Sequence, residues 1–160
     1  QVWTLDAADY GVPQHRRRTF LIAGPCRVEA PKITHGGGLF ALPFTSMGDA
    51  LEEANGYRPI TNKPSATLHY LRRPSPVVMA TEVKGHTDGP ARGKGYNRAS
   101  DLLYVATGRR RLTVQECAAL QGFPAWATFH GTKIAQYRQV GNAVPPKLAQ
   151  VVVAAVMRAG

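Results

Sequence analysis

The residues with the clearest potential for chemistry lie near the start of the chain. Residues 10–18 read Tyr-Gly-Val-Pro-Gln-His-Arg-Arg-Arg, and a run of apolar residues follows them almost directly. A turn followed by a strand would present the amide of Gln14 and the guanidinium groups of Arg16 and Arg18 at one strand edge. Because guanidinium groups bind phosphate oxygens in bidentate geometry, this pattern favours an anion-binding site. A solvated basic turn would have the same composition, so both interpretations stay open on these residues alone.

The net charge indicates a polyanionic partner. The 160-residue chain has 20 Lys and Arg residues against 10 Asp and Glu residues, a formal charge of +10. Contacts between cations and phosphates release counterions, which favours nucleic acid, although basic residues also solubilise surfaces. The glycine-rich stretch at 92–98 would suit phosphate contacts through Arg92, Lys94 and Arg98, and a plain surface loop explains it equally well.

The cysteine pattern excludes two classes of small stabilised domain. Cys26 and Cys117 are far apart, no CxxC pair is present and the histidines are not clustered. A disulfide framework and a four-ligand zinc site are therefore excluded, and a reducing, cytoplasmic setting is expected. Cys26 follows a proline, but no neighbouring residue would activate its thiol as a nucleophile. No apolar run approaches the roughly 18 residues that a membrane-spanning helix needs.

The elements that position the first cluster are predicted from β-prone runs. Val2–Leu5 and Arg18–Ala23 indicate two strands joined by a turn at residues 10–13. Residues 27–109 are rich in Pro, Gly and Thr and read as irregular, β or loop, apart from a short helix predicted at Met47–Ala54.

Two helices are predicted in the last third of the chain. Thr113 and Glu116 form a capping-box pattern, which Leu112 and Cys117 accompany as a hydrophobic staple. Gly122 and Pro124 should end that helix after about two turns. The second helix should begin at Pro145-Pro146, where a missing N–H is tolerated, with an apolar stripe of Leu148, Val151, Val152, Ala155 and Val156.

Three motifs, in order along the chain, resemble those of DNA cytosine-5 methyltransferases. Residues 10–18 (the first motif) are similar to the family's Gln-x-Arg-x-Arg motif, residues 110–124 to its penultimate motif and residues 139–146 to its last motif. Segments 63–67 and 73–77 look like the Pro-Ser-x-Thr segments of its recognition domain. The chain departs from the family at Gln115, where an arginine usually precedes the glutamate.

The resemblance implies an α/β fold built from pieces of two domains. Residues 1–24 would be late strands of a Rossmann-like S-adenosylmethionine methyltransferase domain. Residues 25–138 would form a small, irregular, β-rich target-recognition domain, and residues 139–160 a C-terminal helix that returns to the catalytic domain.

The resemblance also implies a reaction and a set of site residues. The family flips a cytosine out of double-stranded DNA and methylates its C5 with S-adenosyl-L-methionine. Arg18 is then expected at the flipped base or its phosphate, with Arg16 and Gln14 supporting the same pocket. Asn142 and Val144 are expected at the methionine end of the cofactor.

The family's cofactor loop and Pro-Cys nucleophile loop precede the first motif, and neither is found in this sequence. We therefore expect a partial chain, inactive alone, that needs the N-terminal half of the methyltransferase from the same gene or from a separate subunit. The alternative is a non-catalytic DNA-binding module derived from such an enzyme.

Overall fold

The computed structural model describes residues 1–36, 38–55, 72–75, 78 and 112–159. Within them the chain forms strands β1 (Val2–Asp6) and β2 (Arg17–Leu21), then helix α1 (Met47–Asn55). Three further helices follow: α2 (Val114–Leu120), α3 (Lys133–Asn142) and α4 (Pro146–Met157). This mixed helix-and-strand composition agrees with the predicted α/β class.

The first two elements form a two-stranded antiparallel sheet, as predicted. The register pairs Trp3 with Phe20 and Leu5 with Arg18, so these four side chains share one face. The second strand begins one residue earlier than expected and ends at Leu21. The connection between the strands was predicted as a simple turn, but it also contains a 3-10 helix at Ala7–Tyr10.

The connection between the strands depends on Asp6 and Gly11. The Asp6 carboxylate accepts hydrogen bonds from the backbone amides of Ala8, at 3.2 Å, and Arg16, at 2.8 Å, which brings both ends of the connection together. Gly11 ends the 3-10 helix at φ 77°, and a Cβ atom there would lie 2.6 Å from the His35 ring. The left-handed backbone therefore strongly favours glycine at this position, and a side chain there would also require the His35 ring to move.

Helix α2 confirms the predicted capping box. The Thr113 amide donates to the Glu116 carboxylate at 2.6 Å, and the Glu116 amide donates to the Thr113 hydroxyl at 3.2 Å. Leu112 and Cys117, the predicted staple, are both buried in one apolar cluster. The helix ends before Gly122, which has φ 72°.

Helix α4 also begins where it was predicted, with Pro146 in its first turn. Leu148, Val152 and Ala155 are buried, but Val156 is 39% exposed. The face of α4 that packs is therefore narrower than the predicted apolar stripe, because Val156 at its end stays partly exposed. Helix α3 was not predicted at all: its sequence is mostly polar, and it buries only Val140 and Gly141.

Residues Lys133–Met157, taken as one segment, are long and apolar enough to cross a membrane by length and composition alone. They form two helices, however, of 10 and 12 residues, separated by extended backbone at Ala143. A single span needs roughly 20 helical residues, so neither helix is long enough.

Buried residues of the described segments form three apolar clusters. The first joins α1, α2, Val78 and Val140. The second packs Trp3 and Val28 against α4, and the third packs the 3-10 helix and Val12 against Leu148. The first motif therefore lies between the sheet, the last helix and the middle of the chain.

Candidate functional site

Arg16 is the most buried cation among the described residues, with 1% of its surface exposed. Its guanidinium donates one hydrogen bond to the carbonyl oxygen of Val78, at 3.0 Å, and another to the carbonyl oxygen of Gly141. Residues of the first motif, the middle region and the last motif thus meet at a single side chain.

The electrostatic setting explains how this charge is tolerated inside the protein. Burial, assisted by repulsion from Arg18, lowers the pKa of Arg16 to about 10, so the guanidinium is still protonated at neutral pH. The Gly141 carbonyl belongs to the last turn of α3, where the helix dipole presents its negative end. Carbonyl dipoles therefore stabilise the Arg16 cation in place of a carboxylate.

Gln14 is also fully buried, and its backbone segment pairs with the middle of the chain. The His15 amide donates to the Ser75 carbonyl at 2.9 Å, and the Ser75 amide donates to the Pro13 carbonyl at 2.8 Å. Neither polar atom of the Gln14 side-chain amide has a hydrogen-bond partner in the described part of the chain. Gln14 and Arg16 thus lie on the inner side of the first motif.

Arg18 differs from Arg16 in its environment. It lies on β2 opposite Leu5 and is half-buried, and burial lowers the pKa of its guanidinium. Its recorded hydrogen bond is a local one, from Nη1 to the carbonyl oxygen of Arg17 at 2.9 Å. Arg18 therefore retains donors for a ligand, whereas the two terminal nitrogens of Arg16 are already bonded to backbone.

Asn142 and Val144 lie at the break between α3 and α4. Asn142 is the last residue of α3, and the backbone at Ala143 is extended, with φ −63° and ψ 154°. Asn142 is exposed, and its side-chain amide makes no hydrogen bond within the described part of the chain. Val144 is 39% exposed. The two predicted cofactor residues thus present an amide and an apolar side chain at the surface, next to the carbonyl that Arg16 binds.

Gln121 is a buried polar residue of this region for which the sequence suggested no role. Its Nε2 donates to the carbonyl oxygen of Val140 at 2.5 Å, and no part of the residue is exposed. In the sequence, Gln121 is marked only as a polar residue between an apolar helix and Gly122. Its partner, 19 positions away, could not be identified from that signal.

Lys147 and Thr45 attach further elements to the first motif. The Lys147 ammonium and the Thr45 hydroxyl both donate to the Gly11 carbonyl, at 3.2 and 3.3 Å. A groove of about 470 Å³ next to them is lined by residues of α1 and α2, by Pro13 and by Phe123. None of the predicted site residues that the structure describes lines this groove.

Of the remaining candidate residues, the structure describes Cys26 but not the three cations expected to contact DNA. Cys26 is exposed, and its thiol donates to the carbonyl oxygen of Ala159 at 3.2 Å. Arg92, Lys94 and Arg98 lie outside the described residues, as does segment 63–67. Within the described ranges, no group of three potential metal ligands comes together.

Comparison with known proteins gives a consistent result. The family model described as C-5 cytosine-specific DNA methylase matches residues 40–158. The type II methyltransferase M.AplI of Arthrospira platensis is 34% identical, with 92% of this chain and 44% of the relative covered. M1.HphI of Haemophilus parahaemolyticus is 31% identical, with 96% and 46% covered. The chain thus spans somewhat less than half the length of these curated relatives.

Proposed function

Because this chain belongs to the family of C-5 cytosine-specific DNA methylases, we propose that it is the C-terminal portion of a DNA cytosine-5 methyltransferase. The complete enzyme would transfer a methyl group from S-adenosyl-L-methionine to C5 of a flipped cytosine, as in bacterial restriction-modification systems. The observation that carries the proposal is the buried contact of Arg16 with Gly141, since it joins the first motif to the last.

In this proposal Arg18 contacts the flipped cytosine or its phosphate. Its half-buried position and free donors suit a ligand that enters after leaving the base stack. Arg16 and Gln14 support the same pocket from the inner side, where both are buried. We assign the three residues to the catalytic region on this basis.

Asn142 and Val144 would bind the methionine end of S-adenosyl-L-methionine. The exposed amide can donate to a carboxylate and accept from an ammonium group, and the exposed valine offers apolar contact beside it. These donor and contact types fit the cofactor. When bound, S-adenosyl-L-methionine supplies an electrophilic methyl group.

Double-stranded DNA is the proposed macromolecular partner. The formal charge of +10 favours association with phosphates, and Arg92, Lys94 and Arg98 are proposed phosphate contacts. Residues 25–138 would form the target-recognition domain. Residues 1–24 and 139–160 would complete a Rossmann-like catalytic domain in the cytoplasm, next to the nucleoid in a bacterium.

The nucleophilic cysteine and the cofactor loop are proposed to come from the N-terminal half of the methyltransferase, in the same gene or in a separate subunit. The chain covers 44% and 46% of the two relatives described above, which leaves ample length for such a half.

Transfer of labelled methyl groups to DNA tests the proposed function. The complete enzyme, with an N-terminal half that carries the Pro-Cys loop, should methylate DNA, whereas the 160-residue chain alone should not. Methylation by the chain alone that is lost on Cys26→Ala would overturn the assignment of the nucleophile. DNA binding without any methylation by the complete protein would favour the non-catalytic module instead.

A further inference from the structure

The C-terminal end of α3 is held by two side chains from distant parts of the chain. The last carbonyl groups of a helix have no partner within the helix and need one elsewhere. Here Gln121 donates to Val140 at 2.5 Å, and Arg16 donates to Gly141. Both carbonyls belong to the residues immediately before Asn142.

Both capping side chains are buried to 1% exposure or less, so water does not compete for these bonds. A backbone bond of 3.2 Å, from the Ala143 amide to the Val140 carbonyl, adds to them. The direction of the backbone at Asn142 therefore depends on the positions of Gln121 and Arg16.

This arrangement leaves buried polar atoms unsatisfied. Gln121 Oε1 and Arg16 Nε have no hydrogen-bond partner among the residues that the structure describes. A buried polar atom without a partner is unfavourable, and an apolar side chain at position 121 would avoid it. The bond that the Gln121 amide donates to Val140 offsets part of this cost.

We propose that Gln121 and Arg16 are positioning residues for Asn142, which they orient by capping the last turn of α3. They set the affinity for S-adenosyl-L-methionine without touching it. This inference rests on the proposed cofactor role of Asn142. It also couples the arginine motif to the cofactor site through a single buried contact.

Gln121→Met in the complete enzyme is the direct test, because methionine has a similar length and no amide donor. The KM for S-adenosyl-L-methionine should rise about tenfold, the change expected for loss of one buried hydrogen bond. The kcat at saturating cofactor and the KM for DNA should each stay within about threefold. Gln136→Met is the matched control, since Gln136 also donates to a carbonyl of this region, that of Gly131 at 3.0 Å, but at the surface.

Hydrogen exchange on the 160-residue chain provides a readout that does not depend on activity. In Gln121→Met the amide of Ala143, which donates to Val140, should exchange faster, while the amides of α2 keep their rates. Gln136→Met should leave the Ala143 amide unchanged.

Arg16→Lys is a second variant, in case Gln121→Met does not fold. Lysine has a single ammonium group and cannot reproduce the fork that reaches both Val78 and Gly141. It should raise the same KM and the same amide exchange rate.

The outcomes separate this inference from the proposed function. A folded Gln121→Met enzyme with unchanged KM and unchanged Ala143 exchange would overturn the positioning role. If the unsubstituted complete enzyme does not methylate DNA, the proposed function fails. In that case faster exchange of the Ala143 amide in Gln121→Met would still support the capping of α3. Unchanged exchange would contradict the capping as well.

Discussion

The guanidinium of Arg16 donates a hydrogen bond to the carbonyl oxygen of Gly141, 125 positions further along the chain. A second nitrogen of the same group binds the Val78 carbonyl at 3.0 Å. Three separate parts of the chain therefore share one buried cation. Removing a buried hydrogen-bonded group leaves its partners unsatisfied. Replacing Arg16 should therefore destabilise the protein more than replacing a surface arginine.

Replacing Asn142 with alanine should weaken binding of S-adenosyl-L-methionine to the complete enzyme. The exposed amide would lose a hydrogen bond to the methionine end, and we expect an increase in Kd of about tenfold. Isothermal titration with the cofactor measures this change, with Gln136→Ala as a control on the same helix. An unchanged Kd would remove Asn142 from the cofactor site.

Replacing Arg18 with alanine should slow methyl transfer more than it weakens DNA binding. A contact to the flipped cytosine forms only after the base leaves the stack, so its loss acts mainly on the chemical step. Single-turnover methylation at saturating DNA, compared with binding titrations on the same variant, separates the two effects. If the saturated rate does not change, Arg18 is a phosphate contact instead.

Replacing Arg92 with alanine should weaken DNA binding rather than slow methyl transfer. Affinity should fall on all DNA sequences alike, and the slope of log K against log salt should become shallower by about one unit for one lost phosphate contact. Arg158→Ala removes the same charge at the end of α4, where the side chain bonds to Ala154, and should leave the slope unchanged. Equal slopes for Arg92→Ala and the unsubstituted chain would exclude that contact.

Replacing Thr113 with alanine should destabilise the chain by about 1 kcal/mol, because the N-cap hydroxyl of α2 is lost. Urea denaturation of the 160-residue chain measures this loss. Thr128→Ala is the control, since that hydroxyl is exposed and bonds only to His130 at 3.3 Å. Equal unfolding free energies for the two variants would contradict the role of the cap.

Replacing Gly11 with alanine should destabilise the chain by more than about 1 kcal/mol, because L-residues are strained in the left-handed region. The nearby His35 ring, 2.6 Å from the added Cβ, would also have to move. Gly24→Ala is the matched control, because a Cβ there meets nothing within 4 Å. The same denaturation experiment compares them, and a tolerated Gly11→Ala would show that the turn can rearrange.

The parts of this fold that the sequence determines by itself are those stabilised within a few residues. The capping box of α2 joins Thr113 to Glu116, three positions apart, and the two prolines at the start of α4 act on the backbone next to them. The two strands follow from short β-prone runs joined by a brief connection. The family was likewise predicted from the sequence, because the types and order of the residues that suggested it do not depend on tertiary contacts.

Tertiary contacts determine those helices and side-chain environments whose interaction partners lie far away along the chain. Helix α3 has few apolar residues, and contacts such as the 2.6 Å bond from the Tyr137 hydroxyl to the Leu112 carbonyl attach it to the rest of the chain. Arg16 and Arg18 looked alike in sequence, yet one is bonded to distant carbonyls and the other is left with donors for a ligand. Two arginines separated by one residue acquire different environments because burial depends on what the rest of the chain packs against each of them, and no local pattern contains that information.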